Sequence, residues 1–385
     1  MAATGTPPVP SGAGAPITTP TGTDVPQTGT PATQPAMPVA GGGMSATPPA
    51  TATPPATVPP DAMTDGMGGA ASDPVDPPPD DTTNADPPID TETLLGWASV
   101  AGMGLDTTTG GAGGETVTVT TAADLISMAT GSTPRIIQVS GDLTTGTLVV
   151  GSNKTLQGLP GATIRGDVHM NNVQNIILRD LTVVGLNCSD DPACDGGGED
   201  AIVVNGSHHV WFDHLDVSDG SDGNMDIASG SDFLTVSWTR FSYSTPGRGH
   251  RFSNLVGSSD NNPVDEGHLN VTFHHNWWAD NVVERMPRTR YGQVHVFNNL
   301  YTATGNNLCV LAGFEATVLL EGNVFMGVSA PHRLGGGDLL AQGNSYSGVS
   351  GSQEATGVGF TPPYPYALEA ATSVAATVMA NVGPR

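Results

Sequence analysis

Three arginines fall within six residues, in Glu284-Arg285-Met286-Pro287-Arg288-Thr289-Arg290. The stretch lies between two apolar runs ending in Asn, Val271-Thr272-Phe273-His274-His275-Asn276 and Val294-His295-Val296-Phe297-Asn298-Asn299. Both runs read as strands, so the arginines sit on a strand-to-strand connection. Fixed guanidinium groups in such a place make a site for an anionic ligand. A second set of residues is acidic. Asp200 stands in Glu199-Asp200-Ala201-Ile202, and Asp222 and Asp226 in Ser221-Asp222-Gly223-Asn224-Met225-Asp226-Ile227. Three carboxylates with no Lys or Arg between them repel one another unless a cation is bound. Hard oxygen donors of this kind suit Ca²⁺. Gly/Asp-rich loops are also ordinary turns, and the residues alone leave both readings open.

The elements that must position these groups repeat. Asn276, Asn299, Asn323 (ending Val318-Leu319-Leu320-Glu321-Gly322) and Asn344 (ending Leu339-Leu340-Ala341-Gln342-Gly343) each close a short strand pattern, in steps of 23, 24 and 21 residues. Upstream, the runs 176–180, 210–214 and 234–238 look like the same rung with longer insertions. One short rung per ~20–25 residues is the signature of a parallel β-helix solenoid. An antiparallel sandwich would place its strands every ~8–12 residues. The expected fold is therefore all-β, a right-handed parallel β-helix. In such a coil carboxylates on successive rungs stack along one face, and an Asn recurring at one turn can hydrogen-bond along the stack. Thr120 to Met128 reads as a helix capping the first rung, and the stretch from Tyr366 as a helix or packed tail covering a flank.

Residues 1–92 differ in kind: almost entirely Pro, Thr, Ala, Gly and Asp. They cannot bury enough apolar surface to offset their conformational entropy, and are expected to form a disordered, partly polyproline tether. Residues 93–385 are expected to form one domain. The net charge is −25, from 37 acidic and 12 basic residues. The first basic residue is Arg135, Lys154 is the only lysine, and Arg240, Arg248, Arg251, Arg285, Arg288 and Arg290 fall in one window. This local basic focus on an acidic background argues against nucleic acid, which needs a broad basic surface. Cys188 and Cys194 are close enough for a small disulfide loop, which would imply an oxidising compartment. Cys309 lies in an apolar run and reads as a buried thiol. No run of ~20 apolar residues is present to span a membrane. A long Pro/Thr tether suits a secreted or surface-tethered protein, and a solenoid with covered ends is expected to be a monomer.

The ordered set His274-His275-Asn276, Arg285-Met286-Pro287-Arg288-Thr289-Arg290 and His295-Val296-Phe297-Asn298-Asn299 resembles the pectate lyase family, parallel β-helix enzymes that cleave polygalacturonate. The resemblance spans about Trp97 to Asn344, with Gly96-Trp97-Ala98-Ser99-Val100 and Ser152-Asn153-Lys154-Thr155-Leu156 among its motifs. Several ordered motifs are far more specific than one. The family's Asp-Ala-hydrophobic strand precedes a Trp-hydrophobic-Asp-His motif by thirteen residues, as Asp200 precedes Asp213 of Trp211-Phe212-Asp213-His214. The resemblance thus implies Ca²⁺ ligands at Asp200, Asp222 and Asp226, with Glu199 auxiliary or merely exposed. It implies Arg285 as the proton acceptor and Arg290 as a binder of substrate carboxylate. Arg288 lies between them, and alternation in an extended loop is expected to separate it from its neighbours.

One departure stands out. The family places a lysine before the Leu-hydrophobic-Gly segment, whereas this chain has Gly249-His250-Arg251-Phe252-Ser253-Asn254-Leu255-Val256-Gly257. Arg251, one residue out of register, is the expected substitute, with His250 the alternative. Trp211, Asp213 and His214 are read as rung-packing residues, His274 and His275 as strand caps, and Trp238, Trp277 and Trp278 as divided between core and surface. The implied reaction is β-elimination on an acidic polysaccharide, pectate or pectin. A Ca²⁺-independent lyase of methylated polymer would lack the acid triplet. A non-catalytic polysaccharide-binding β-helix would lack Arg285 and Arg290. All five residues are present.

Overall fold

The apolar runs pair in parallel, and each turn of the chain lays a strand on up to three faces of one coil. The computed structural model describes residues 92–186, 199–245 and 250–385. The chain divides into two units, Met1–Thr82 and Thr83–Arg385. The first unit, and the expected tether as far as residue 91, lie outside the described residues, as does the expected Cys188–Cys194 pair.

The first face is a ten-stranded parallel sheet from Glu115–Val119 to Asp338–Gln342. The second runs from Thr182–Val184 through Asp216–Ser218, Arg240–Ser242, Trp277–Trp278, Leu300–Tyr301 and Val324–Met326 to Ser345–Ser347. The third comprises Ile202–Asn205, Met225–Ala228, Asn254–Val256, Arg288–Thr289, Val310–Ala312 and His332–Leu334. The long strand Thr163–Asn171 joins the last two: its start pairs with Thr182–Val184 and its end with Ile202–Asn205. The parallel β-helix expected from the repeats is the fold.

Register turns sequence periodicity into columns. Phe241, Trp278, Tyr301, Phe325 and Tyr346 occupy one inward position of the second face. Their rings stack with centroids 5.9, 4.6, 4.3 and 5.3 Å apart. Each such pair adds ~0.5–1.5 kcal/mol beyond burial. The corner after the first face carries the Asn ladder. The Oδ1 of Asn299 accepts from the Asn276 backbone N–H at 2.8 Å, Asn323 serves Asn299 at 2.9 Å, and Asn344 serves Asn323 at 2.9 Å. Each Nδ2 reaches back to a carbonyl of the preceding rung, as Asn299 does to Phe273 at 2.9 Å. Otherwise buried corner groups are thereby satisfied.

The residue before each ladder position adopts a left-handed conformation: Asp180, His214, Trp238, His275 and Asn298 all have φ between 49° and 56°. Such strain costs ~1–2 kcal/mol per non-Gly residue. It is partly offset where the outward side chains stack, His214 on Trp238 at 5.8 Å and Trp238 on His275 at 4.3 Å. His275 also contacts Glu369 at 2.6 Å.

The ends are covered as the sequence implies. Helix α1 (Ala122–Ala129) is N-capped by Thr121, whose side chain accepts from the Asp124 N–H, and buries Leu125 and Ala129. Helix α2 (Ala371–Asn381) sets Val374 and Val378 against Leu300 and Val324 on the outside of the second face. Trp97 and Ala98 donate their backbone N–H groups to Thr272 and Thr235 on the outside of the first. A Cβ at Gly96 would meet Thr235 Oγ1 at 2.6 Å, so only glycine permits this approach. Cys309 is a fully buried thiol, as read, and burial pushes its pKa up.

Candidate active site

The connections from the second face to the third carry the polar residues singled out by the sequence. Asp200 ends the first connection, Asp222 lies in the next, His250 and Arg251 in the third and Arg285 in the fourth. Asp226 is one step inside Met225–Ala228. Its neighbours Met225 and Ile227 fill the core, so pleating turns Asp226 outward.

Asp200 and Asp226 are brought together. Asp200 is only 7% exposed, and one carboxylate oxygen of each, Oδ1, is buried without a hydrogen-bond partner. Burial first, and then the charges of Asp226 and Asp222, push the Asp200 carboxyl far above its usual range; Arg285 opposes this. Burial also raises Asp226, with Arg285 pulling it down and Asp222 pushing it up. Gly223 makes room for the two carboxyls, since a Cβ there would stand 2.3 Å from Asp200 Oδ1.

Two buried, mutually repelling acids with orphaned oxygens make a place that a divalent cation fits. The donor set is all oxygen, which selects a hard cation such as Ca²⁺. Asp222 is looser: its side chain is 41% exposed and lies 3.7 Å from His250 Nδ1. Among the described residues no three His, Cys, Asp or Glu side chains already converge as a metal-coordinating group. Asp200 and Asp226 fit the role, and Asp222 would have to turn from His250 to join them. Glu199 leans toward His169 at 3.9 Å and stays exposed.

The arginines are placed by a register change. Phe252 bridges to Glu284, but Leu255 pairs with Arg288, so the later rung carries one extra residue between these points. Arg285 opens this bulge with φ 60°. Bulges bend a strand and re-aim its side chains. Here the Arg285 guanidinium lies 4.5 Å over the Phe252 ring, within electrostatic reach of Asp200 and Asp226.

Arg288 does not turn away from the cluster. Thr289 is the inward residue, between core residues Val256 and Ala312, and Arg288 and Arg290 flank it on the outside. Alternation has a period of two and so unites residues 288 and 290. Burial first, then the charges of Arg290 and Arg285, lower the Arg288 pKa, and its Nε is buried without a partner. Arg290 donates from Nε to Asp260 Oδ1 at 2.5 Å and from Nη1 to the Gly257 carbonyl at 2.7 Å. Arg251 donates from Nη1 to the Asn281 carbonyl at 2.8 Å. His250, 3.7 Å from Asp222, is packed edge-on to Phe252 at 4.8 Å.

Sequence reasoning missed Asp260 and Phe252. Asp260 lies thirty residues before Arg290, and Phe252 reads as an ordinary apolar residue. The Trp-Phe-Asp-His motif is structural in place. Trp211 Nε1 donates to Ser237 Oγ, and Ser237 Oγ donates to the fully buried Asp213.

Known proteins resemble this chain in sequence and in fold. The pectate lyase family model matches residues 84–381. The pectate trisaccharide-lyase of Thermotoga maritima is 39% identical over 215 residues, covering 54% of this chain and 57% of the relative. The chain thus spans little more than half the length of that relative. Pectate lyase E of Dickeya chrysanthemi is 30% identical over 357 residues, covering 75% of this chain and 85% of the relative. A pectate lyase from Bacillus sp. N165, solved in complex with trigalacturonate, superimposes with a TM-score of 0.64 at 24% identity, over 76% of this chain and 98% of that one. The major cedar pollen allergen does so at 0.60 and 23%, over 77% and 94%. At these identities the solved structures speak for the fold alone. With the model match spanning most of the coil and both charged clusters in place, the chain belongs to the pectate lyase family.

Proposed function

We propose that the protein cleaves polygalacturonate by β-elimination, with Ca²⁺ held by Asp200 and Asp226 and completed by Asp222. The observation that carries this reading is the pair of buried acids with orphaned oxygens beside Arg285. When bound, the cation would neutralise acids and substrate carboxylate together and acidify the proton next to that carboxylate. Arg288 and Arg290, outward on one strand end, receive substrate carboxylates in fork-like hydrogen bonds. Arg285 accepts the proton from C5. The C5–H electron pair becomes the C4–C5 double bond, and the C4–O bond breaks with its electrons on the leaving glycosidic oxygen, which takes a proton from solvent. A protonated guanidinium has no free electron pair and ordinarily titrates above ~12, so Arg285 must give a proton to solvent before it takes the one from C5, in concert with C–O cleavage. Phe252 holds the Arg285 plane in place during this step. The products are 4,5-unsaturated oligogalacturonates.

The test is ultraviolet absorbance of unsaturated product from polygalacturonate, with Ca²⁺ or chelator, for wild type and Arg285→Ala. Absorbance that rises only with Ca²⁺ and Arg285 is the expected result. Chelator-insensitive cleavage of methylated pectin would move the reading to a pectin lyase. Polymer binding with no product from either substrate would make the protein a binding module.

A further inference from the structure

The outer positions of the third face form a column that register alone reveals. Val203 pairs with Asp226, Asp226 with Leu255, Leu255 with Arg288, Arg288 with Leu311, and Leu311 with Arg333. The residues flanking this column at its start and centre, such as Met225 and Ile227 or Val310 and Ala312, fill the core, so the column points outward. Arg333 therefore stands on the same outer face as Arg288, two strands further along. Strands lie ~4.8 Å apart, which separates the two backbone positions by ~10 Å.

Arg333 is exposed and forms no salt bridge among the described residues. The nearby acid Glu354 accepts from the Leu334 N–H and from Ser352 Oγ, and lies within electrostatic reach of Arg333 without a salt bridge to it. A second column runs beside the first. Gly313 follows Arg290 and Gly335 follows Gly313, as the pairings Thr289–Ala312 and Ala312–Leu334 require. A Cβ on Gly313 would touch Arg290 Cγ at 3.5 Å, and one on Gly335 would touch Leu311 Cδ1 at 3.2 Å. Past the arginine cluster the flank carries no side chain at buried Gly313 or at exposed Gly335, and Arg333 stands at its far end with no salt bridge.

We propose that Arg333 binds a carboxylate of the same polyanionic chain, at a distal subsite beyond Arg288 and Arg290. A linear polymer with an acid on each sugar can lie along this face and present one carboxylate to the arginine cluster and a later one to Arg333. This rests on the functional reading above. Its own content is that recognition extends two strands past the chemistry and depends on chain length.

The experiment compares wild type, Arg333→Gln and Arg333→Lys on long polygalacturonate and on trigalacturonate, with Arg165→Gln as a control for lost surface charge. Arg165 is an exposed arginine paired with Asp142, outside the site. Arg333→Gln is expected to raise KM for the polymer about two- to fivefold, the range for one exposed charge pair, with kcat unchanged. KM for the trimer stays at the wild-type value, Arg333→Lys keeps most of the polymer affinity, and Arg165→Gln changes nothing. An unchanged polymer KM, or an equal change on both substrates, overturns the proposal while leaving the lyase reading intact. If wild type yields no unsaturated product, the lyase reading fails, and affinity electrophoresis in polygalacturonate gels then decides. Retardation weakened by Arg333→Gln alone supports the subsite, and equal or absent retardation overturns it.

Discussion

The Asn corners of the later rungs and the acid-and-arginine connections of the middle rungs are built on the same coil but handle polar groups in opposite ways. From Asn276 to Asn344 each side-chain amide is spent on a neighbouring rung. Between Asp200 and Arg288 the coil leaves buried atoms of Asp200, Asp226, His250 and Arg288 unpartnered. Repetition satisfies groups because every rung offers the next the same partner. The site rungs break the repetition with long connections and a bulge, and their unsatisfied groups are the ones a ligand can engage. Local rules that fail in an otherwise consistent fold mark the functional region.

The contrast can be broken by substitution. Arg285→Ala is expected to lower kcat ~10³-fold or more, with Tm retained, because the residue serves the chemistry and not the coil. Turnover on polygalacturonate and a thermal melt check both halves. Asn299→Leu should do the reverse. It orphans the Asn276 N–H and the Phe273 carbonyl, at ~1–3 kcal/mol for each buried group, and is expected to cost about 3 kcal/mol in denaturant unfolding. Its kcat per folded molecule should stay near wild type.

Two smaller effects sharpen the comparison. Asp226→Asn should raise the Tm of chelated protein by ~2–4 °C, since it removes like-charge repulsion at a buried acid, while sharply reducing the stabilisation that Ca²⁺ gives. Titration follows the same logic. The Asp200 and Asp226 carboxyls are raised in the folded protein, so the folded state binds more protons than the unfolded one above the ordinary carboxylate range. Chelated protein should therefore lose stability as pH rises from about 4. Added Ca²⁺ should flatten that slope, and a flat chelated profile would show that the acids do not repel.

The rung repeat was legible because corner Asn residues and apolar pairs recur at one interval, and the two caps followed from local pattern. The acids and arginines were legible as clusters. Their orientation was harder. Alternation in an extended loop predicts Arg288 apart from Arg285 and Arg290, whereas strand register sets it outward together with residue 290, two positions on. The side-chain paths of His250 and Arg251 depend on Phe252 and Asn281, which no spacing rule reports. The outward stack of His214, Trp238 and His275 escaped notice because a left-handed corner fixes backbone shape and leaves the residue type free. Arg333 lies far from the arginine cluster in sequence, and only strand register brings it into line.

The connections between the second and third faces have one further consequence, for how such a protein can change over generations. Residues 185–201, 219–224, 243–253 and 279–287 differ widely in length, yet each leaves and rejoins the coil at paired strand ends. Closing a longer loop costs little, about 0.6 kcal/mol per doubling, and the ladders beneath do not depend on loop content. Insertions can therefore be tried one rung at a time without refolding the rest. A descendant could acquire a new polymer preference by lengthening one connection while inheriting its stability from the columns unchanged.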